Sequence, residues 1–204
     1  MEGFVAKAQL ESITAYSQSK RVNIVKRDDQ DHDAAESEHW REKIHRNKDG
    51  FVIIPGNQFM ECLKNVDRFV KQKISGGRGA SYGKYLATGV QVLNGIALPY
   101  KWDEVEGEWL NMDSNGKKGS GTRVPRCFPL IPQWEGEVTY FIKPGATMPA
   151  DVFRRYLDGC GLLVGIGRWR PERGGSYGMF RVVDMSWASC TMDDVVVAMT
   201  AAVL

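Results

Sequence analysis

Two amphipathic segments set the terms for any fold of this chain. Between Asn57 and Ile74 the apolar residues Phe59, Leu63, Val66, Phe69, Val70 and Ile74 recur at helical spacing, and Asn57 stands where it can cap the first turn. Between Pro149 and Leu163 the period returns in Val152, Phe153, Tyr156, Leu157 and Cys160. Stretches with strand character flank them. Phe4 to Ile13 precedes the first helix. Leu86 to Leu98 (one strand, or two broken at Gly95) and Glu135 to Ile142 separate the helices, and Met179 to Trp187 follows the second.

Stripped of insertions, the order is strand, helix, strand, strand, helix, strand. It predicts an α+β protein with a ferredoxin-like (RRM-type) βαββαβ core, one sheet face packed by two helices and the other open. One insertion, residues 14–55, follows strand 1. It holds a polar loop, a short helix from Ala34 to Ile44 and a buried strand, Phe51 to Ile54. A second, residues 99–134, lies between strands 2 and 3, with a turn at Asp113-Ser114-Asn115-Gly116 and strand character from Trp109 to Met112. Residues 191–204 read as an apolar C-terminal helix that needs a surface to cover it. All 204 residues are expected to form a single domain.

Composition excludes more than it selects. The formal charge is only +2, so any preference for polyanions must come from how the charges are distributed. Cys62, Cys127, Cys160 and Cys190 form no C-x-x-C pair, which argues against a zinc ribbon or a disulfide framework and for reduced thiols. No basic-then-apolar leader opens the chain, and Val195 to Leu204 is half the ~20 residues a membrane span needs. A cytoplasmic protein with no membrane partner is expected.

The chemistry concentrates in glycine-rich basic segments. Gly165-Ile166-Gly167-Arg168-Trp169-Arg170-Pro171-Glu172-Arg173-Gly174-Gly175-Ser176-Tyr177-Gly178-Met179-Phe180 holds five glycines and three arginines between a helix and a strand. Glycines let backbone approach a ligand, arginine forks suit phosphate, and Trp169 and Tyr177 offer faces to a base. Arg78, Tyr82 and Lys84 follow a second glycine-rich turn. Lys117, Lys118, Arg123 and Arg126 surround a third, and Lys20 and Arg21 lie in the first insertion. This grammar predicts phosphate tracking with stacking.

Other chemistries find less support. Gly165-x-Gly167 lacks the third glycine of a dinucleotide fingerprint and follows a helix, and no P-loop is present. His32, His39 and His45 cluster near acidic residues without metal-ligand spacing, so no metal and no cofactor is expected. A metal-independent RNA endonuclease with His45 or His39 as general acid/base is the alternative, and a protein–protein adaptor is the third reading.

Gly165, Gly167, Arg168, Gly174, Gly175, Tyr177, Gly178 and Phe180 resemble the signature loop of the RAMP superfamily, the RNA-binding proteins of CRISPR systems. The layout looks most like the backbone subunits that polymerise along guide RNA. It is also similar to small proteins encoded by tailed bacteriophages and prophages, which would place it in a bacterial host cytoplasm. The resemblance implies a thumb-like hairpin at 99–134; with no Ser/His/Asp or Cys/His constellation in the sequence, no catalytic residue is expected. The resemblance also implies single-stranded RNA or DNA as ligand, bound without base specificity. Expected partners are further copies of the chain, as a homo-oligomer or filament on the strand, and CRISPR effector subunits, which the protein would join or inhibit. The site residues would be Arg168, Trp169, Arg170, Arg173, Gly174, Gly175 and Tyr177, with Lys117, Lys118, Arg123, Arg126, Arg78, Tyr82, Lys84, Lys20 and Arg21.

Overall fold

A computed structural model describes residues 2–22, 27–114, 119, 121–146, 148–191 and 193–195. In chain order the strands are β1 (Gly3–Ser12), β2 (Tyr16–Ser17), β3 (Phe51–Ile54), β4 (Val90–Val92), β5 (Ile96–Lys101), β6 (Glu106–Asp113), β7 (Arg123–Ile131), β8 (Glu135–Ile142) and β9 (Phe180–Cys190). The helices are α1 (His32–His39), α2 (Gly56–Val70), α3 (Gly83–Gly89) and α4 (Ala150–Gly159). The protein is therefore α+β, built on a four-stranded sheet in the order β4-β8-β1-β9 with every neighbour antiparallel.

Alternation along the strands explains why the helices cover one face. Ala6, Ala8 and Leu10 of β1, Val138, Tyr140 and Ile142 of β8, and Phe180 and Val182 of β9 are all buried. Small side chains at the centre of β1 leave room for rings. Tyr140 meets Phe153 of α4 edge-on at 5.4 Å, and Phe59 of α2 meets Phe180 at 6.0 Å. Helices α2 and α4 approach closely at Gly159, where a Cβ would press on the methyls of Val66 and Val70.

The opposite face carries Lys7, Gln9, Glu11, Glu135, Glu137, Arg181, Asp184 and Ser186, with Gln9 paired to Glu137 and Asp184, and Glu11 to Glu135 and Arg181. Four carboxylates against two cations make it acidic, and it presents no exposed aromatic residue among the described residues. A polyanion gains nothing there.

The insertions form their own layer. β2, β7 and β6 make a three-stranded sheet and β3 pairs with β5, while one continuous apolar cluster joins these to the main sheet through Trp40, Ile44, Val105, Cys127 and Ile131. Its tie is polar: Glu36 of α1, fully buried, accepts from Lys43, from Arg126 at 3.0 Å and from the Cys127 N–H at 2.8 Å. Burial pushes the Glu36 pKa up, but Lys43, the Cys127 amide and Arg126 outweigh it and hold the carboxyl below its ordinary value.

Several elements differ from expectation for local reasons. Leu86 to Gly89 is helical, part of α3, and the strand begins only at Val90. α2 stops at Val70 because Lys71 turns left-handed, at φ 48°. The Ala34 to Ile44 helix divides into α1 and a 3₁₀ turn, Trp40–Lys43. β7 forms despite Pro125 and Pro129, a composition that argues against a strand. The C-terminal helix beyond Val195, and Lys117 and Lys118, lie outside the described residues.

Candidate nucleic-acid interface

Strand register decides which loops meet. The end of β1 pairs with the starts of both partners, Glu11 with Glu135 and Ser12 with Phe180. The connections at 13–55, 102–134 and 165–179 therefore all open at one end of the sheet. The segment at 71–89, between α2 and β4, belongs to the other end, where Val90 and Phe4 both pair with Ile142. α2 spans 15 residues, which at 1.5 Å per residue separates the two ends by about 22 Å.

Arg78 and Lys84 are thus exposed on the far side, and Tyr82 is 7% exposed, packed edge-on against Tyr156 at 6.3 Å. Arg78 and Lys84, expected among the phosphate-binding residues, do not join the other basic loops, and Tyr82, expected to stack on a base, has no free ring face.

The glycine-rich loop begins where α4 passes into a π turn, Cys160–Val164, that stops at Gly165 with φ 71°. Cys62 of α2 anchors this turn by donating to the carbonyls of Cys160 and Gly165. Gly178, at φ 70°, is pressed so closely on the Ile166 carbonyl that a Cβ would overlap it.

Arg168 organises the loop. Its Nη2 donates to Glu108 of β6 at 2.8 Å and its Nε to Ser17 of β2 at 3.2 Å, while the guanidinium lies 4.0 Å from the Phe128 ring centroid of β7. Its side chain is 10% exposed. Tyr177 donates its hydroxyl to the same Glu108 at 2.6 Å, which raises the tyrosine pKa. Arg168 and Tyr177, expected to meet phosphate and base, instead fasten the loop to the β6–β7 hairpin.

Arg170 is also occupied, forking onto Glu172 at 3.0 and 2.8 Å. The amides of Gly174 and Gly175 donate to the Pro171 and Arg170 carbonyls, so they are not free for phosphate. Arg126, expected on the strand, faces Glu36. Glu108 and Glu36 escape sequence reading because their partners are 60 and 90 residues away.

Trp169, held at φ 53°, is 45% exposed, its ring 6.3 Å from Tyr177. Arg173, Lys20, Arg21 and Arg123 are exposed and make no ion pair among the described residues. Lys20 and its neighbour Ser19 are pinned beside the loop because Gln18 bridges Ile53 and His45, at 2.8 and 2.7 Å, and Ser17 accepts from the Arg168 amide.

Between this segment, the first turns of α2 and the loop lies a cavity of about 300 Å³ lined by Ser19, His45, Asn57, Gln58, Glu61, Cys62, Gly165, Ile166, Gly167, Arg168 and Arg170. Burial and then the charge of Lys20 lower the His45 pKa, so the imidazole is neutral at pH 7. Among the described residues no cluster of His, Cys, Asp or Glu could hold a metal, and no helix is long and apolar enough to cross a membrane.

No family model and no curated protein matches the chain. Among solved structures it is similar to a chain of the type III-B Cmr-beta complex bound to cognate target RNA, with a TM-score of 0.51 and 11% identity over 91% of this chain and 61% of that one. The likeness is one of fold. This chain spans 61% of that neighbour's length.

Proposed function

We propose that this chain is a RAMP-type, ferredoxin-like protein that binds single-stranded nucleic acid, RNA foremost, without base specificity. Trp169 carries the reading: a half-exposed tryptophan held at positive φ, with Arg173 in the same loop and Lys20 and Arg21 in the neighbouring segment exposed and without an ion pair among the described residues. A base stacks on the ring while the cations follow the phosphates. Arg123, exposed at the start of β7, extends the contact. The fold shared with a subunit of an RNA-bound Cmr complex supports RNA, and CRISPR effector subunits, as partners.

Filter binding of single-stranded RNA, single-stranded DNA and duplex across a salt series tests it. Log affinity should fall with log salt by about 0.7 per neutralised phosphate. Replacing Lys20, Arg21 and Arg173 together by alanine should cut that slope by about 2, whereas Arg78→Ala with Lys84→Ala should leave it unchanged. Equal effects from both sets would refute the assignment.

His45, in the cavity beside the loop, favours RNA cleavage as a second reading. Labelled RNA cut by the wild type and spared by His45→Ala would establish it.

A further inference from the structure

Resting on the reading that this end binds nucleic acid, we propose that Trp109 is a second stacking platform for the bound strand. It lies on the face of the β6–β7 hairpin turned away from Trp169, so a long strand reaches it by crossing the open edge of β6. Tryptophan is among the more buried residues on average, yet Trp109 is 48% exposed and pairs with no other ring among the described residues.

Register fixes which way it faces. Residues opposed across an antiparallel ladder share a face, and neighbours along a strand alternate. Trp109 pairs with Cys127, Asn111 with Pro125 and Asp113 with Arg123, so Trp109, Asn111 and Arg123 belong to one face. Glu108 belongs to the other, where it holds Arg168 and Tyr177, and the Trp169 ring is 6.3 Å from that of Tyr177. The two tryptophans therefore flank the same stretch of β6. That strand ends the order β2-β7-β6, so among the described residues no further strand bars the way from one face to the other.

Cations accompany Trp109 as they accompany Trp169. Arg123, already part of the proposed contact, is exposed about 14 Å along the same face. Asp113 opposite it accepts from the Gly119 amide at 2.8 Å and forms no ion pair with that arginine among the described residues. On the other side, the Trp40 ring abuts Gly107, two residues before Trp109 on this face, and the Arg41 guanidinium lies 4.3 Å from a Trp40 ring centroid. Arg41 makes no ion pair among the described residues. An exposed indole between two unpaired arginines supplies a face for a base and charge for the phosphates on either side.

Strand length is the readout, because a short strand at the glycine-rich loop meets Trp169 alone. The test titrates oligouridines of about 6 and about 16 nucleotides onto the wild type, Trp109→Ala, Trp109→Phe and Trp169→Ala. Trp169→Ala should weaken both strands. Trp109→Ala should weaken the long strand at least about fivefold and leave the short one unchanged, which also shows that the variant is folded. Trp109→Phe keeps a ring and should recover most of the loss.

Equal effects of Trp109→Ala on both lengths, or none on either, overturn the inference while sparing the proposed function. If the wild type binds neither strand, that function fails and the inference with it. Should Trp109→Ala not fold, ultraviolet crosslinking of the long oligouridine to the wild type decides. Uridine attached at Trp109 supports the second platform, and attachment confined to other residues overturns it.

Discussion

Glu108→Ala removes the group that holds the glycine-rich loop against the β6–β7 hairpin. In the native protein one carboxylate accepts from Arg168 at 2.8 Å and from Tyr177 at 2.6 Å, with 23% of its side chain exposed. Leaving one partner of a fully buried ion pair alone costs about 3–5 kcal/mol. The partial exposure of Glu108, together with the Ser17 hydroxyl and Phe128 ring that Arg168 keeps, brings the expected loss to about 2–3 kcal/mol, Tyr177 included. For a chain of this length, about 2–4 °C per kcal/mol translates that into a fall in Tm of about 4–12 °C. Glu108→Gln retains an acceptor for Tyr177 and should lose about half as much. Thermal unfolding followed by circular dichroism reads both variants. A Tm for Glu108→Ala within about 2 °C of wild type would refute the view that this pair anchors the loop.

Gly178→Ala, where the new Cβ overlaps the Ile166 carbonyl, should cost more than about 3 kcal/mol in urea unfolding, whereas Gly174→Ala, also at positive φ but in open space, should cost about 1–2. The depressed Glu36 pKa means that its contribution to stability is complete above the unfolded-state pKa and is lost as pH falls through the folded-state value. The difference in urea midpoint between wild type and Glu36→Gln should therefore be largest near pH 7 and shrink below about pH 4; a constant difference contradicts the linkage. On the proposed function, Trp169→Ala should weaken single-stranded RNA binding by about 1–3 kcal/mol, with a smaller fall in Tm than Glu108→Ala because the half-exposed ring packs only on the Arg168 guanidinium, at 4.5 Å, and beside Tyr177.

The sheet and its two covering helices were legible because their signals are local. Phe59, Leu63 and Val66, or Val152, Phe153 and Tyr156, announce a buried stripe within a few turns. The basic loops were legible as composition only. A glycine-rich basic segment looks the same whether its arginines meet solvent or a carboxylate far along the chain, and Arg168 and Arg126 meet the distant Glu108 and Glu36, while Arg170 meets Glu172 within its own loop. Tyr82 misled for a related reason: its neighbours in sequence are polar and glycine-rich, but its neighbour in space is Tyr156. Only the last turn of α3, Leu86 to Gly89, reads as strand in the sequence, because it runs on into the apolar Val90 and Val92 and its length does not arbitrate between the two periods.

Glu36 also limits how this chain can be pared down. Excising the β6–β7 hairpin would strip the carboxylate of Arg126 and the Cys127 amide, and excising α1 would leave Lys43 facing Cys127 with no counter-charge. The two inserts stand or fall jointly, so a minimal version must either keep both or exchange Glu36 and Lys43 for apolar residues in the same step.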